Sequence, residues 1–101
     1  MTTDIATEIE EQIKETVLHP SNYKVIFMND EVTPMDFVVE VLIQIFRHSQ
    51  ATAQDLTMKI HEKGSAVAGV YSYEIAEQKA VEATTLSRSQ GFQLQIRLEV
   101  E

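Results

Sequence analysis

Near the end of the chain Phe92, Leu94, Ile96, Leu98 and Val100 alternate with Gln93, Gln95, Arg97, Glu99 and Glu101. This is the period-two pattern of a strand with one wet face, and it predicts a strand over residues 92–101. Residues 23–28 (Tyr-Lys-Val-Ile-Phe-Met) are a β-branched and aromatic run of strand length that ends at the turn formers Asn29 and Asp30. Residues 66–71 (Ala-Val-Ala-Gly-Val-Tyr) are apolar without alternation, which predicts a strand buried on both faces. Between these runs the period lengthens. Over 35–48 the polar residues Asp36, Glu40, Gln44 and Arg47 form one stripe among Val, Leu, Ile and Phe, as in a helix buried on most sides. Its start is marked by Thr33-Pro34-Met35-Asp36, read as a capping hydroxyl, a proline at the first helical position and a carboxylate in the first turn. A second helix is predicted over 51–63, with Ala53, Leu56 and Ile60 at helical spacing, His61 in its last turn and Gly64 just past its end. A third, over 73–88, follows the capping residue Ser72 and precedes Gly91. Its Ala76, Ala80 and Ala83 make a small-residue face suited to close approach to a sheet.

The resulting order, βααβαβ, predicts an α+β fold: a two-layer sandwich in which a three-stranded antiparallel sheet carries three helices on one face. Ahead of it, Ile5, Ile9, Ile13 and Val17 recur every four residues in an acidic stretch. Four apolar residues do not stabilise an isolated helix of that length, and His19-Pro20 then breaks the pattern. Residues 1–21 are therefore expected to be a mobile extension, and residues 22–101 the folded domain.

Composition narrows the function. A chain of 101 residues closes one hydrophobic core. With no cysteine it has no disulfide scaffold, thiolate metal site or cysteine nucleophile. Eight Lys and Arg against sixteen Asp and Glu give a net charge of −8, which repels phosphate backbones and argues against nucleic acid as a partner. The longest apolar stretch is too short and too interrupted to span a membrane, and no secretory leader is evident. His19, His48 and His61 stand at no metal-ligand spacing, the three glycines are isolated, and no nucleophile elbow occurs. No metal, no cofactor and no catalytic residue is expected, so a protein or peptide partner becomes the favoured class.

What remains is Asn29-Asp30-Glu31 ahead of Thr33-Pro34-Met35. Taken with Tyr23-Lys24-Val25-Ile26, with Asp36-Phe37-Val38, with His61 followed by Gly64, and with Glu74-Ile75-Ala76-Glu77-Gln78-Lys79, this stretch resembles the signature of the ClpS adaptor family. The resemblance runs from about residue 20 to the end. It implies a non-enzymatic, cytoplasmic adaptor that binds proteins beginning with a bulky Leu, Phe, Tyr or Trp (N-degrons). Such an adaptor hands them to the N-terminal domain of a ClpA-type (or ClpC-type) AAA+ unfoldase for degradation by ClpP. Carried across by motif, Asn29, Asp30 and His61 would hold the α-amino group, and Thr33, Met35, Val38, Ile60 and Leu94 would line the pocket for the first side chain. Glu31 and Val32 would form its rim, Glu74 and Lys79 would dock the unfoldase, and the N-terminal extension would assist delivery.

Elementary chemistry supports the same assignment. A terminal ammonium brings three donors and a charge, and Asn29, Asp30 and a neutral His61 are acceptors able to converge on it. One charge-assisted hydrogen bond contributes about 1.5–3 kcal/mol, and burial of a Leu or Phe side chain about as much again. Met35, in the first helical turn, would narrow the entrance against β-branched first residues. The alternative from a different class is an interaction module like the ribosomal stalk's C-terminal domain, which shares the βααβαβ layout; a small enzyme pairing Asp30 with His61 is a third.

Overall fold

The computed structural model describes residues 21–101, and the readings that fall on residues 1–20, the extension and its four-residue stripe, lie outside the described residues. Strand β1 (Asn22–Met28) occupies the centre of a sheet of order β2-β1-β3, with β2 spanning Ser65–Ser72 and β3 spanning Gln95–Val100. Both pairings are antiparallel. Helices α1 (Met35–Gln44), α2 (Gln50–Lys63) and α3 (Tyr73–Ser89) supply the second layer. The two-layer α+β sandwich predicted from the hydrophobic pattern is thus the observed fold.

Alternation explains the core. Val25 and Phe27, two residues apart on the central strand, are fully buried, and across the sheet they face Gly69 and Ala66 on one side and Leu98 and Ile96 on the other. Phe37, Val38, Val41 and Leu42 of α1, Ala53 and Ile60 of α2, and Ala76 and Ala83 of α3 join them in one cluster. The alanines let α3 lie close to the sheet, as their spacing predicts. Each large side chain so buried is worth about 1.5–3 kcal/mol relative to exposure.

The structure corrects the sequence reading in five places. Strand β2 is an edge strand with one open face: Val67 and Val70 are exposed, while Ala66 and Ala68 are buried. Its apolar run is unbroken because the open face carries valines, not because both faces are buried, and a bulge further blurs the alternation. The register slips between Val25 opposite Gly69 and Ile26 opposite Val67, leaving Ala68 as the extra residue and shifting the alternation by one.

Helix α1 ends at Gln44 instead of continuing to His48. Phe46 must turn inward to pack edge-on against Phe27, with ring centroids 5.2 Å apart, and Arg47 takes a left-handed φ of 61° to complete the reversal. The turn is tied down by the amide of His48 donating to the Leu42 carbonyl at 3.1 Å, and by the His48 ring hydrogen-bonded to the Ala68 carbonyl on the bulge.

Pro34, not Thr33, is the cap of α1, its carbonyl receiving the amides of Phe37 and Val38. Ser72 likewise precedes α3 without making a side-chain cap bond. Strand β3 is shorter than the alternating pattern, because Phe92 leaves the strand line to pack edge-on against Phe37, their centroids 5.0 Å apart.

Candidate functional site

The turn after β1 and the end of α2 are brought together by one backbone bond, from the amide of Asn29 to the carbonyl of Gly64 at 2.9 Å. Gly64 sits at φ 93°, the left-handed conformation that terminates α2, and its own amide returns to Ile60. The strand end carrying Asn29 and Asp30 is thereby fixed beside the last turn of the helix carrying His61.

Asp30 organises the loop that follows. Its Oδ1 accepts the amides of Val32 at 2.8 Å and Thr33 at 2.7 Å, and its Oδ2 accepts the Thr33 hydroxyl at 2.8 Å. A carboxylate offers about four acceptor positions, so one remains on Oδ2 for an outside donor. Thr33 is consequently held as a donor to Asp30 instead of as a helix cap, which explains the displaced start of α1.

The floor of the site comes from three elements. Val38 on α1, Ile60 and Thr57 on α2, and Leu94 ahead of β3 are buried, with Leu94 only 1% exposed. Leu94 is anchored because its amide donates to the hydroxyl of Ser87, a fully buried group on α3, at 3.1 Å. The Thr57 hydroxyl is satisfied by the Ala53 carbonyl at 2.7 Å. Together with Asn29, Asp30, Thr33, Met35 and His61, these residues and Met28 line a single recess of about 270 Å³, open space at its mouth included.

Every residue the sequence assigned to the amino-group site and to the pocket therefore lines one cavity: Asn29, Asp30 and His61 with Thr33, Met35, Val38, Ile60 and Leu94. Met35 is 39% exposed at the first position of α1. Glu31 and Val32 lie on the connecting loop and do not line the recess; Val32 is 51% exposed. Met28 and Thr57 were missed. Thr57 was visible in principle, since Thr57, Ile60 and His61 stand at i, i+3 and i+4 on one helix face. Met28 belongs by alternation to the other side of the sheet and reaches the recess only because β1 ends there.

Glu74 and Lys79 are elsewhere, on α3. Glu74 is exposed in the first turn. Lys79 is half-buried: its Nζ donates to the Ile45 carbonyl at 2.7 Å and lies 5.2 Å from the Tyr71 ring centroid and 5.8 Å from that of Phe46. Among the described residues there is no group of three or more His, Asp or Glu side chains placed to hold a metal ion, and no helix long and apolar enough to cross a membrane.

A family model described as "ATP-dependent Clp protease adaptor protein ClpS" matches residues 18–97. The ATP-dependent Clp protease adapter protein ClpS of Treponema denticola is 46% identical over 87 residues, 86% of each chain. That of Sodalis glossinidius is 43% identical over 90 residues, 89% of this chain and 85% of the other. Among solved structures, that of Agrobacterium tumefaciens ClpS2 bound to L-phenylalaninamide superposes with a TM-score of 0.79 at 44% identity, covering 82% of this chain and 100% of that one. The fold, and the sequence that builds it, are those of a protease adaptor. More narrowly, the chain belongs to the ClpS family of Clp protease adaptors.

Proposed function

We propose that this adaptor binds proteins whose first residue is a bulky Leu, Phe, Tyr or Trp and delivers them to the N-terminal domain of a ClpA-type or ClpC-type AAA+ unfoldase for degradation by ClpP. The observation that carries the reading is the convergence of three acceptor residues, Asn29 and Asp30 from the turn after β1 and His61 from the last turn of α2, on the same recess as five residues that would receive the first side chain. In this reading the ammonium meets the free acceptor position of Asp30 together with Asn29 and His61, while the side chain enters between Met35, Val38, Ile60 and Leu94. The A. tumefaciens relative was solved with L-phenylalaninamide, which has a free α-amino group and an aromatic side chain, and the same chemistry is assigned here to this chain. Glu74 and Lys79 on α3 are assigned to unfoldase docking, away from the recess.

Fluorescence anisotropy with peptides differing only at their start tests the reading. Free Leu and free Phe peptides are expected to bind at least tenfold more tightly than free Val or N-acetylated Leu, a gap of about 1.4 kcal/mol or more. Equal or absent binding across the four would overturn it.

A further inference from the structure

The chain has four methionines and no cysteine. A thiolate, ordinarily the first side chain that a peroxide oxidises, is therefore missing, and the thioethers are the sulfur atoms left to react. Among the described residues, two of the three methionines line the recess: Met28 where β1 ends and Met35 where α1 begins, at either end of the loop that Asp30 ties down. Met35 is 39% exposed, close to the 44% of Met58, which stands on α2 and does not line the recess. An oxidant thus reaches Met35 about as readily as an ordinary surface methionine, while Met28 is more sheltered. Neither residue belongs to the buried core cluster.

We infer that Met35, with Met28 behind it, is an oxidation site through which a peroxide reversibly weakens binding in the recess. The inference rests on the reading proposed above. The thioether sulfur attacks one oxygen of the peroxide, the O–O bond breaks, and the other oxygen leaves as water. The sulfur loses two electrons to become a sulfoxide, and the peroxide gains the same two. A flexible apolar wall thereby becomes a dipole with a strong acceptor oxygen. The apolar first side chain of a bound protein has no donor to offer it. Thr33 and Thr57, the two hydroxyls of the recess, already donate to Asp30 and to the Ala53 carbonyl. An oxygen turned inward therefore finds only the side-chain amide of Asn29 and the ring of His61, the groups assigned to the ammonium. An oxygen turned outward holds water at the mouth that an entering side chain has to displace. Both placements weaken binding. A bound chain in turn covers Met35, so an occupied adaptor resists the oxidation that disables an empty one.

In the test the full chain is treated with hydrogen peroxide, the peroxide is removed, the sulfoxides are located by peptide mass mapping, and anisotropy is measured with a peptide that begins with Leu. Affinity is expected to fall roughly tenfold with the melting temperature little changed, and to return after treatment with methionine sulfoxide reductases for both epimers. The variant M28L/M35L, a volume-conserving exchange, should show no loss on treatment, whereas Met58→Leu should lose as much as the parent. On the unaltered chain, saturating Leu peptide present during treatment should slow oxidation of Met35 severalfold and leave that of Met58 unchanged. A chain that carries the sulfoxide at Met35 and binds as before, a loss that the reductases do not reverse, an equal loss in M28L/M35L, or oxidation of Met35 at one rate with and without peptide would overturn the inference. If the untreated chain binds an N-acetylated Leu peptide as tightly as the free one, the reading of the recess itself falls, and this inference falls with it.

Discussion

The hydroxyl of Thr33 donates to Oδ2 of Asp30 at 2.8 Å, while Oδ1 of the same carboxylate takes the amides of Val32 and Thr33. Asp30 thus builds the loop and also faces the recess, and its two roles are separable by substitution. Asp30→Asn keeps an amide oxygen for the two backbone donors but removes the charge. It is expected to unfold within a few degrees of the parent and to lose tenfold or more in affinity for a Leu peptide. Asp30→Ala removes all three bonds, each worth about 0.5–1.5 kcal/mol or more, and should lower both melting temperature and affinity. An Asn variant that binds like the parent would confine Asp30 to loop structure.

Gly64 links the same loop to α2 through the Asn29 amide. A Cβ at Gly64 would meet no atom within 4 Å, so the cost of Gly64→Ala comes from its φ of 93° alone, about 1–2 kcal/mol. The melting temperature is expected to fall accordingly. Peptide affinity should fall too, because relaxation of Gly64 moves the carbonyl that holds Asn29. Thermal unfolding and anisotropy on one preparation check both.

Much of this was legible beforehand, for a physical reason that also marks its limit. The burial of Leu94, Ile60 and Val38 was legible because burial leaves a periodic trace, and the cap at Gly64 because a left-handed position favours glycine; that the three line a pocket came only from the family resemblance. The bond from Thr33 to Asp30 left none: a Thr before Pro satisfies the pattern of a cap equally well, and only the tertiary position of the loop decides which donor or acceptor the hydroxyl serves. The bulge at Ala68 was hidden in the same way, since with apolar Val67 and Val70 on the open face no change of polarity marks the residue at which the alternation shifts. The early end of α1 depends on Phe46 reaching Phe27, a contact between residues 19 positions apart that no local pattern contains.

Burial holds the phenol of Tyr71 above its ordinary pKa, and a hydrogen bond to Glu77 does the same for Tyr73. Both groups keep their protons in the folded chain at a pH where the unfolded chain releases them. The folded state therefore binds more protons, and its stability falls as pH rises through about 10 and beyond. Melting temperatures at pH 9 and pH 11 should show this decline, and Tyr71→Phe should flatten it. A slope unchanged in that variant would remove Tyr71 as a source.

Met35 lies at the entrance of the recess, partly exposed, on the first turn of α1. Shortening it to Ala widens the entrance without opening the core. Met35→Ala is expected to leave affinity for a Leu peptide within about threefold, under 1 kcal/mol, while raising affinity for Ile and Val peptides tenfold. Competition against labelled Leu peptide gives all three numbers. Unchanged discrimination would mean that the selection is made by the walls at Val38 and Ile60.

Glu74 and Lys79 were assigned together to unfoldase docking, yet their surroundings differ. Glu74 is exposed, whereas Lys79 spans from α3 to the carbonyl of Ile45 at the end of α1 and lies against Phe46 and Tyr71. Removing Glu74 subtracts only surface charge. Glu74→Ala should therefore keep its melting temperature and its peptide affinity and lose only binding to the unfoldase N-terminal domain. Lys79→Ala leaves the Ile45 carbonyl without its side-chain partner and removes a cation from two aromatic faces, contributions of about 1 kcal/mol each. Its melting temperature should drop by several degrees for a domain of this size. Lys79→Arg separates the causes, because it retains a cation over Phe46 and Tyr71 and a donor to Ile45 while changing the shape presented outside. If Lys79→Arg recovers stability but not unfoldase binding, Lys79 contacts the partner directly. If it recovers both, Lys79 acts by bracing the end of α1, and the docking surface is carried by Glu74 and its exposed neighbours on α3.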